Sequence, residues 1–181
     1  MGLFSFLSRK ETLPQVRIRD MIWMNAGGKK QGCLKLLQQN PNTALVAWFP
    51  ETQQLWQQFF HLHNLPNQVL LAPHLNTLLI ANKTIIMLEH YPLAAKEDAF
   101  LQMIRQPAVI ILSALDEPLF AKFGGESIIA LMQKMGMKED EAIEHKMVSK
   151  SLRDAQAELE KNVTVHQTAQ SMQDWFAKNI S

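Results

Sequence analysis

Cysteine is almost absent from this sequence: Cys33 is the only one in 181 residues. A single thiol excludes an internal disulfide and a zinc site built from cysteines, and it fits a reducing compartment such as the cytoplasm. No stretch of about 18 consecutive apolar residues occurs, so no integral membrane segment is predicted. The formal net charge is only +1, and the basic residues lack interleaved aromatic residues. We therefore expect no nucleic-acid partner.

A phosphate-binding glycine motif is also missing, although one stretch approaches it. A strand predicted over 16–24 is followed by Gly28 and by a helix predicted from about Lys29. The motif GxxxxGK[ST] requires a glycine where Trp23 stands, and a serine or threonine where Lys30 stands. We interpret the stretch as a plain strand-to-helix turn. The sequence contains no other convincing catalytic or metal-binding pattern, so we predict no catalytic residue, metal or cofactor.

Apolar runs alternate with helical patterns over most of the chain. The predicted strands are 16–24, 43–49, 68–72, 83–88 and 107–112, and the predicted helices begin near 29, 50 and 94. The stretch 75–81 is ambiguous between helix and strand. This alternation predicts the α/β class, with a mainly parallel sheet covered by helices on both faces.

The stretch Leu115–Asn162 carries the most distinctive residues of the chain. Glu117–Pro118 opens a short helix, which Gly124–Gly125 is expected to end in the manner of a C-terminal cap. A second helix is predicted over 126–135. After an acidic loop, a third helix is predicted from about 145 to 161, so the stretch reads as a helical hairpin.

These residues resemble the SecA preprotein translocase ATPase family. The resemblance is carried by Gly124, Gly136, Met137, the acids Glu139, Asp140 and Glu141, the run IEHKMVSKS over 143–151, and Ala155–Gln156. In that family, such residues end the second RecA-like lobe and begin the helical scaffold. The resemblance implies a RecA-like (P-loop NTPase) fold with a C-terminal helical extension. It also implies three regions: a tail over 1–14, a RecA-like domain over 15–137 and the extension over 138–181.

The resemblance implies a link to protein export, yet the motifs that act on ATP are absent. In the family, the second lobe supplies a GRGTD-like loop and an arginine-rich QxxGRxGRxG segment. No GRGTD lies between Leu75 and Leu88, and Arg105 is the only arginine between Glu89 and Leu115. Transition-state arginines are worth ~10³–10⁵ in rate. We therefore predict a non-catalytic interaction or regulatory module; the alternative is an accessory lobe acting in trans on an ATPase motor.

Two helical regions are predicted to meet a protein partner, for which the translocation machinery is the implied candidate. A final helix is predicted to begin at Thr164 with Gln167 completing a capping box. Its apolar face either packs on the chain's own domain or faces a partner, a homodimer being one arrangement. The candidate interaction residues are Met147, Leu152, Val165, Met172, Trp175, Phe176 and Ile180.

The first ten residues are apolar and then basic. This pattern suits weak contact with an anionic membrane surface; the alternative is a terminus that is disordered or packed on the domain. The candidate membrane-contacting residues are Leu3, Phe4, Phe6, Leu7, Arg9 and Lys10. The expected location is the cytoplasm, either free or peripheral at the inner face of the membrane.

Overall fold

The computed structural model describes residues 16–163 and 165–180, and their core is a five-stranded sheet in which every pairing is parallel. Its strand order is β1-β5-β4-β2-β3. The strands are β1 (Arg17–Trp23), β2 (Thr43–Ala47), β3 (Val69–Leu71), β4 (Thr84–Met87) and β5 (Ala108–Ala114). The α/β prediction is confirmed, and the described sheet is wholly rather than mainly parallel.

Seven α-helices flank the sheet within the described residues. They are α1 (Ala26–Gln39), α2 (Pro50–Leu62), α3 (Ala94–Ile104), α4 (Pro118–Ala121), α5 (Gly125–Lys134), α6 (Lys146–Asn162) and α7 (Met172–Asn179). The ambiguous stretch forms neither a strand nor an α-helix. It contains one 3-10 turn, Thr77–Ile80, and a second 3-10 turn, Ala72–His74, comes just before it.

The burial of each strand follows from its place in the sheet. The central strands β2, β4 and β5 are rich in valine, isoleucine and leucine, as expected where both faces are covered. The strand β1 lies at the edge, and its first residues alternate between exposed and half-buried. From Met21 to Trp23 it is fully buried. The beginning of β1 is thus the accessible part of this edge.

The two faces of the sheet are covered by different helices. Cys33 and Leu36 of α1 pack with Trp56 and Phe60 of α2 against one face. The helix α3 packs on the other face, in a cluster that also contains residues of α4, α6 and α7. Since parallel crossovers are right-handed, the connections leaving β2 and β4 run in opposite directions. The boundary between these neighbouring strands is the switch point, where α/β sheets commonly bind ligands at the carboxyl ends of their strands.

The helical extension is attached to the sheet by side chains and by one backbone bridge. Leu152 and Leu159 of α6 and Trp175 of α7 belong to the same apolar cluster as α3. Ile22 of β1 and Ile143 exchange two backbone hydrogen bonds, of 3.2 and 2.7 Å, in an antiparallel bridge. The residue that opens the SecA-like run is therefore fixed to the edge strand.

The predicted start of the last helix was wrong. The helix α7 begins at Met172, and Ser171 caps it by accepting a hydrogen bond of 3.1 Å from the Asp174 N–H. Gln167 does not complete a capping box, because its backbone is hydrogen-bonded to the Asn179 side chain near the far end of α7. The segment before α7 thus lies back along the helix in a non-helical conformation. Thr164 itself lies outside the described residues.

The two glycines predicted to end a helix instead start the next one. Gly124 has a φ of +87° and stands just before α5, and Gly125 is the first residue of that helix. A Cβ on Gly125 would lie 2.2 Å from the Leu115 carbonyl oxygen. The glycine pair therefore permits a tight approach between α5 and the end of β5.

Candidate functional site

The switch point of the sheet is occupied by a carboxylate of the chain itself. Glu89 lies two residues after the end of β4, and it accepts hydrogen bonds from the N–H groups of Trp48 (3.0 Å) and Phe49 (3.2 Å). Its other oxygen accepts a hydrogen bond of 2.8 Å from the Thr52 hydroxyl in the first turn of α2. An anion is the ligand that a helix N-terminus favours. At α2 this position is filled internally by the Glu89 side chain.

Glu89 is buried, and burial is the main influence on its pKa. It raises the pKa of this carboxyl to about 7, while Lys29 and the Thr52 hydroxyl act in the opposite direction. A carboxyl that titrates near neutrality inside a sheet crevice is a typical feature of a functional site. Here the same carboxyl also satisfies two backbone donors, which gives it a structural role.

The N-terminus of α1 is closed in a similar way. The Asn25 side chain caps it by accepting from the Gly28 N–H (2.8 Å), and Asp116 accepts from the Ala26 N–H (3.1 Å). Lys29 is only 2% exposed and forms an ion pair with Glu117. The lysine beside the glycine-rich turn is therefore neutralised by a protein carboxylate rather than left available for a phosphate.

A backbone contact seals this turn further. A Cβ on Gly28 would lie 2.0 Å from the Glu139 carbonyl oxygen, so only glycine fits there. The indole N–H of Trp23 donates to the Asp140 carbonyl at 3.3 Å. Gly28 is thus required because the acidic loop of the SecA-like stretch passes close to its backbone. The role of this glycine is in packing.

A small cavity of about 170 Å³ lies at this end of the sheet. Glu51, Glu89 and Glu117 contribute carboxylates to its lining, and Met172 of α7 lies on its far side. Within the part of the chain that the structure describes, no group of three or more histidine, cysteine, aspartate or glutamate side chains is arranged to hold a metal ion. The cavity is acidic, so it offers no positive surface to a nucleotide phosphate.

A second buried polar network joins the sheet to the helical extension. His90 lies between Glu97, with Nδ1 3.0 Å from the carboxylate, and Asp20, with Nε2 3.4 Å from the carboxylate. Arg153 of α6 reaches Glu97 at 3.3 Å and Asp98 at 3.1 Å. The network therefore ties α6 to both β1 and α3.

The carboxylates determine the charge of the histidine. Burial alone would lower the pKa of His90, but the attraction of Glu97 and Asp20 outweighs burial and raises this pKa to about 9. Burial favours neutral carboxyl groups, yet the charged His90 lowers the pKa of both Asp20 and Glu97. At neutral pH the network is a buried cation held between two anions. Such a network fixes orientation, and breaking one partner leaves an uncompensated charge.

The C-terminal segment is held by hydrogen bonds that converge on His166. Its Nε2 accepts from the indole N–H of Trp175 at 3.1 Å and from the hydroxyl of Tyr91. Lys96 in turn donates to the Tyr91 hydroxyl at 3.1 Å. Two donors on one ring nitrogen require a neutral histidine with its proton on Nδ1, and burial together with Lys96 lowers the pKa of His166.

The seven residues predicted to contact a partner fall into two groups. Those that pack on the chain's own core are Leu152, Met172, Trp175, Phe176 and Ile180. The exposed ones are Met147 and Val165, at 70% and 72%. The apolar face of α7 is thus covered by its own domain. The six residues predicted to touch a membrane, Leu3, Phe4, Phe6, Leu7, Arg9 and Lys10, lie outside the described residues.

Sequence reasoning missed Lys29, Glu89 and Glu117 as partners at the switch point. One signal was present, since Glu89 follows the apolar run KTIIML at the carboxyl end of a predicted strand. Charged residues at that position often face the crevice of a parallel sheet. Glu117 gave no comparable signal, because a helix-opening glutamate before proline is common on protein surfaces.

The described sheet is all-parallel and has helices on both faces, which is the architecture of an α/β, RecA-like domain. The fold therefore belongs to this class. None of the helices within the described ranges is long and apolar enough to cross a bilayer.

No protein-family profile matches the chain, and comparison with known proteins finds similarity to SecA. The chain is similar to the protein translocase subunit SecA of Acinetobacter baumannii, with 51% identity over 47 residues. SecA of Psychrobacter cryohalolentis gives the same identity over 47 residues, and SecA of Acinetobacter baylyi gives 49%. Each alignment covers 26% of this chain but only 5% of the relative's length. The chain therefore contains a SecA-related segment.

Proposed function

We propose that this protein is a non-catalytic protein-interaction module linked to protein export. The observation that carries the proposal is the SecA-related segment, which stands here on an α/β domain whose helix N-termini are closed by internal carboxylates. The segment connects the chain to export, since the relatives are named translocase subunits. The closed helix termini argue against a role in ATP chemistry.

The case against catalysis rests on charge. Glu89 occupies the N-terminus of α2, and Asp116 occupies that of α1. Lys29, the one buried cation of the described residues near these positions, is paired with Glu117. A triphosphate placed here would meet the carboxylates of Asp116 and Glu117 and the carboxyl of Glu89, whose pKa is raised to about 7 by burial. The ionised carboxylates would repel it. Together with the absence of the arginine motifs, this arrangement supports a binding role.

The interaction surface that we propose is the outer side of α5 and α6, defined by Leu131, Met135 and Met147. These side chains are more than half exposed, and Met135 is 71% exposed. The helices α5 and α6, together with α4, enclose a small apolar cavity lined by Phe123, Ile128 and Leu152 among others. Exposed apolar side chains next to an apolar groove are typical of protein-binding surfaces, and flexible methionines suit them.

The proposal is tested by direct binding to a SecA relative. Purified Acinetobacter baumannii SecA is titrated onto the immobilised full-length chain by biolayer interferometry. The proposal predicts saturable binding that Met147→Glu and Leu131→Glu each weaken at least tenfold. The matched control is Leu78→Glu, because Leu78 is equally apolar and 80% exposed but lies outside the SecA-related segment.

Two outcomes refine or contradict this function. Equal weakening by the control variant contradicts the proposed surface. Absence of binding at about 50 micromolar, which corresponds to roughly −6 kcal/mol, contradicts the proposed interaction with SecA. A changed SecA ATPase rate at saturating chain concentration indicates the alternative of an accessory lobe acting in trans. The ATPase assay therefore separates a passive docking module from a regulator.

A further inference from the structure

The outer edge of β1 exposes unused backbone hydrogen-bonding groups. The Arg17 N–H donates to Pro107, and the Trp23 carbonyl accepts from Leu115, so the odd-numbered residues of β1 face β5. The even-numbered residues therefore face outward, as Ile22 shows by its two bonds to Ile143. The N–H and carbonyl groups of Ile18 and Asp20 point the same way.

Nothing in the described part of the chain pairs with those four groups. The bridge at Ile143 is isolated, because the chain turns away there and begins α6 at Lys146. The accessible stretch Arg17–Met21 spans roughly 13 Å at about 3.3 Å per residue. An extended peptide of about four residues would pair with it fully.

The shape beside this edge fits such a peptide. An open groove of about 490 Å³ lies between the beginning of β1 and the first two turns of α6. One wall is formed by Ile18 and Asp20, and the other by Lys146, Ser149 and Arg153 among others. Both walls come from regular secondary structure, β1 and α6. The groove is therefore preformed in the unbound chain.

The charged side chains that line the groove indicate which kind of peptide it would bind. Its lining includes four lysine or arginine side chains, namely Arg19, Lys146, Lys150 and Arg153, against the two carboxylates Asp20 and Glu144. The Asp20 carboxylate faces His90, and Glu144 is held by Arg19 at 2.7 Å. Arg153 is held by Glu97 and Asp98, and Lys150, whose side chain is 79% exposed, lies 3.4 Å from Asp154 on the same helix. Lys146 has no ion-pair partner among the described residues, so Lys146 and the exposed Lys150 are the cations that an acidic partner can reach.

We propose that the outer edge of β1 accepts an extended, acidic peptide segment of a partner protein as a sixth strand. The backbone of Ile18 and Asp20 provides affinity, as in strand-addition complexes generally. Lys146 and Lys150 provide the preference for acidic side chains. This surface is separate from the α5–α6 surface, so either proposal can fail without the other.

The test uses a fluorescein-labelled peptide of alternating glutamate and valine, six residues long, with a lysine–valine peptide for comparison. Fluorescence anisotropy with the full-length chain measures affinity, and hydrogen exchange by NMR locates the contact. Binding is expected only for the acidic peptide, with slowed exchange at the Ile18 and Asp20 amides. The Arg19 amide, already bonded toward β5, should not change.

Two variants separate backbone pairing from charge. Ile18→Pro removes an outward N–H at an edge position that tolerates proline, and it should weaken binding roughly 3- to 10-fold. Ile18→Val keeps that N–H and serves as its control. The double variant Lys146→Glu with Lys150→Glu should weaken binding about 10-fold, whereas Lys134→Glu, outside the groove, should not.

Several results would overturn the proposal. One is absence of binding at millimolar peptide, and another is binding with no change at the Ile18 and Asp20 amides, which would be non-specific charge attraction. Slow exchange of both amides in the free protein would show that the edge is already covered. Circular dichroism of each variant establishes that a loss of binding does not come from unfolding.

Discussion

Replacing Trp175 with alanine tests whether α7 is an integral part of the domain. The indole is fully buried and packs edge-on against Phe176 at a centroid distance of 5.3 Å and near Tyr91 at 6.2 Å. Its N–H also donates to His166 at 3.1 Å. Removing a buried tryptophan costs about 3–5 kcal/mol through lost contacts and the cavity left behind. We expect a loss of that size in Trp175→Ala.

Urea unfolding followed by far-ultraviolet circular dichroism measures this loss, with the free energy of unfolding obtained by linear extrapolation. Far-ultraviolet dichroism is preferred because four tryptophans contribute to the fluorescence. Val165→Ala is the matched control, since Val165 is 72% exposed and should change stability by less than about 0.5 kcal/mol. A loss below about 1 kcal/mol in Trp175→Ala would refute the packing argument. It would also return Trp175 to the candidate partner-facing residues.

Three further predictions concern the buried groups and the glycine turn. The pKa of His90 is higher in the folded chain, at about 9, than its ordinary value of 6.5. Its contribution to the free energy of unfolding is therefore complete below pH 6.5 and is lost as the pH rises toward 9. Between these pH values, urea titrations of His90→Asn should show a smaller loss of stability than those of the wild type. Glu89→Ala leaves two backbone donors and the Thr52 hydroxyl unpaired, so we expect a loss of about 2–4 kcal/mol by the same measurement, whereas Glu89→Gln should cost less than half as much. Gly28→Ala should destabilise by more than about 2 kcal/mol, because its Cβ would meet the Glu139 backbone at 2.0 Å; a melting temperature unchanged from Gly27→Ala would contradict the tight contact.

The elements of the sheet could be predicted from sequence because their physics is local. Runs such as TALVA and TIIM are short and almost wholly apolar, which is typical of a parallel strand buried on both faces. The strand order could not be predicted, since it depends on which way each crossover turns across the sheet. The start of α7 was misplaced for a similar reason. Thr164 and Ser171 both head plausible capping patterns, and the choice is made by the distant hydrogen bonds between Gln167 and Asn179.

The candidate site illustrates the same limit. The missing glycine and serine of the phosphate-binding motif were visible in the sequence around Lys29. The sequence did not reveal which groups lie at the N-termini of α1 and α2 in place of a phosphate. Glu89, Asp116 and Glu117 reach these positions only once the sheet has formed. Motif reading can therefore show that a site has lost its ligand-binding residues. It cannot show what replaces them.

Calorimetric titration of the full-length chain with magnesium ATP tests the central claim most directly. If internal carboxylates occupy the anion positions of this domain, ATP at millimolar concentration should produce no binding heat and no shift in melting temperature. Glu89→Gln, which removes one of these charges while keeping its shape, should behave the same way. Saturable ATP binding by the wild type, with a dissociation constant on the order of 10 micromolar or tighter (about −7 kcal/mol), would contradict the account.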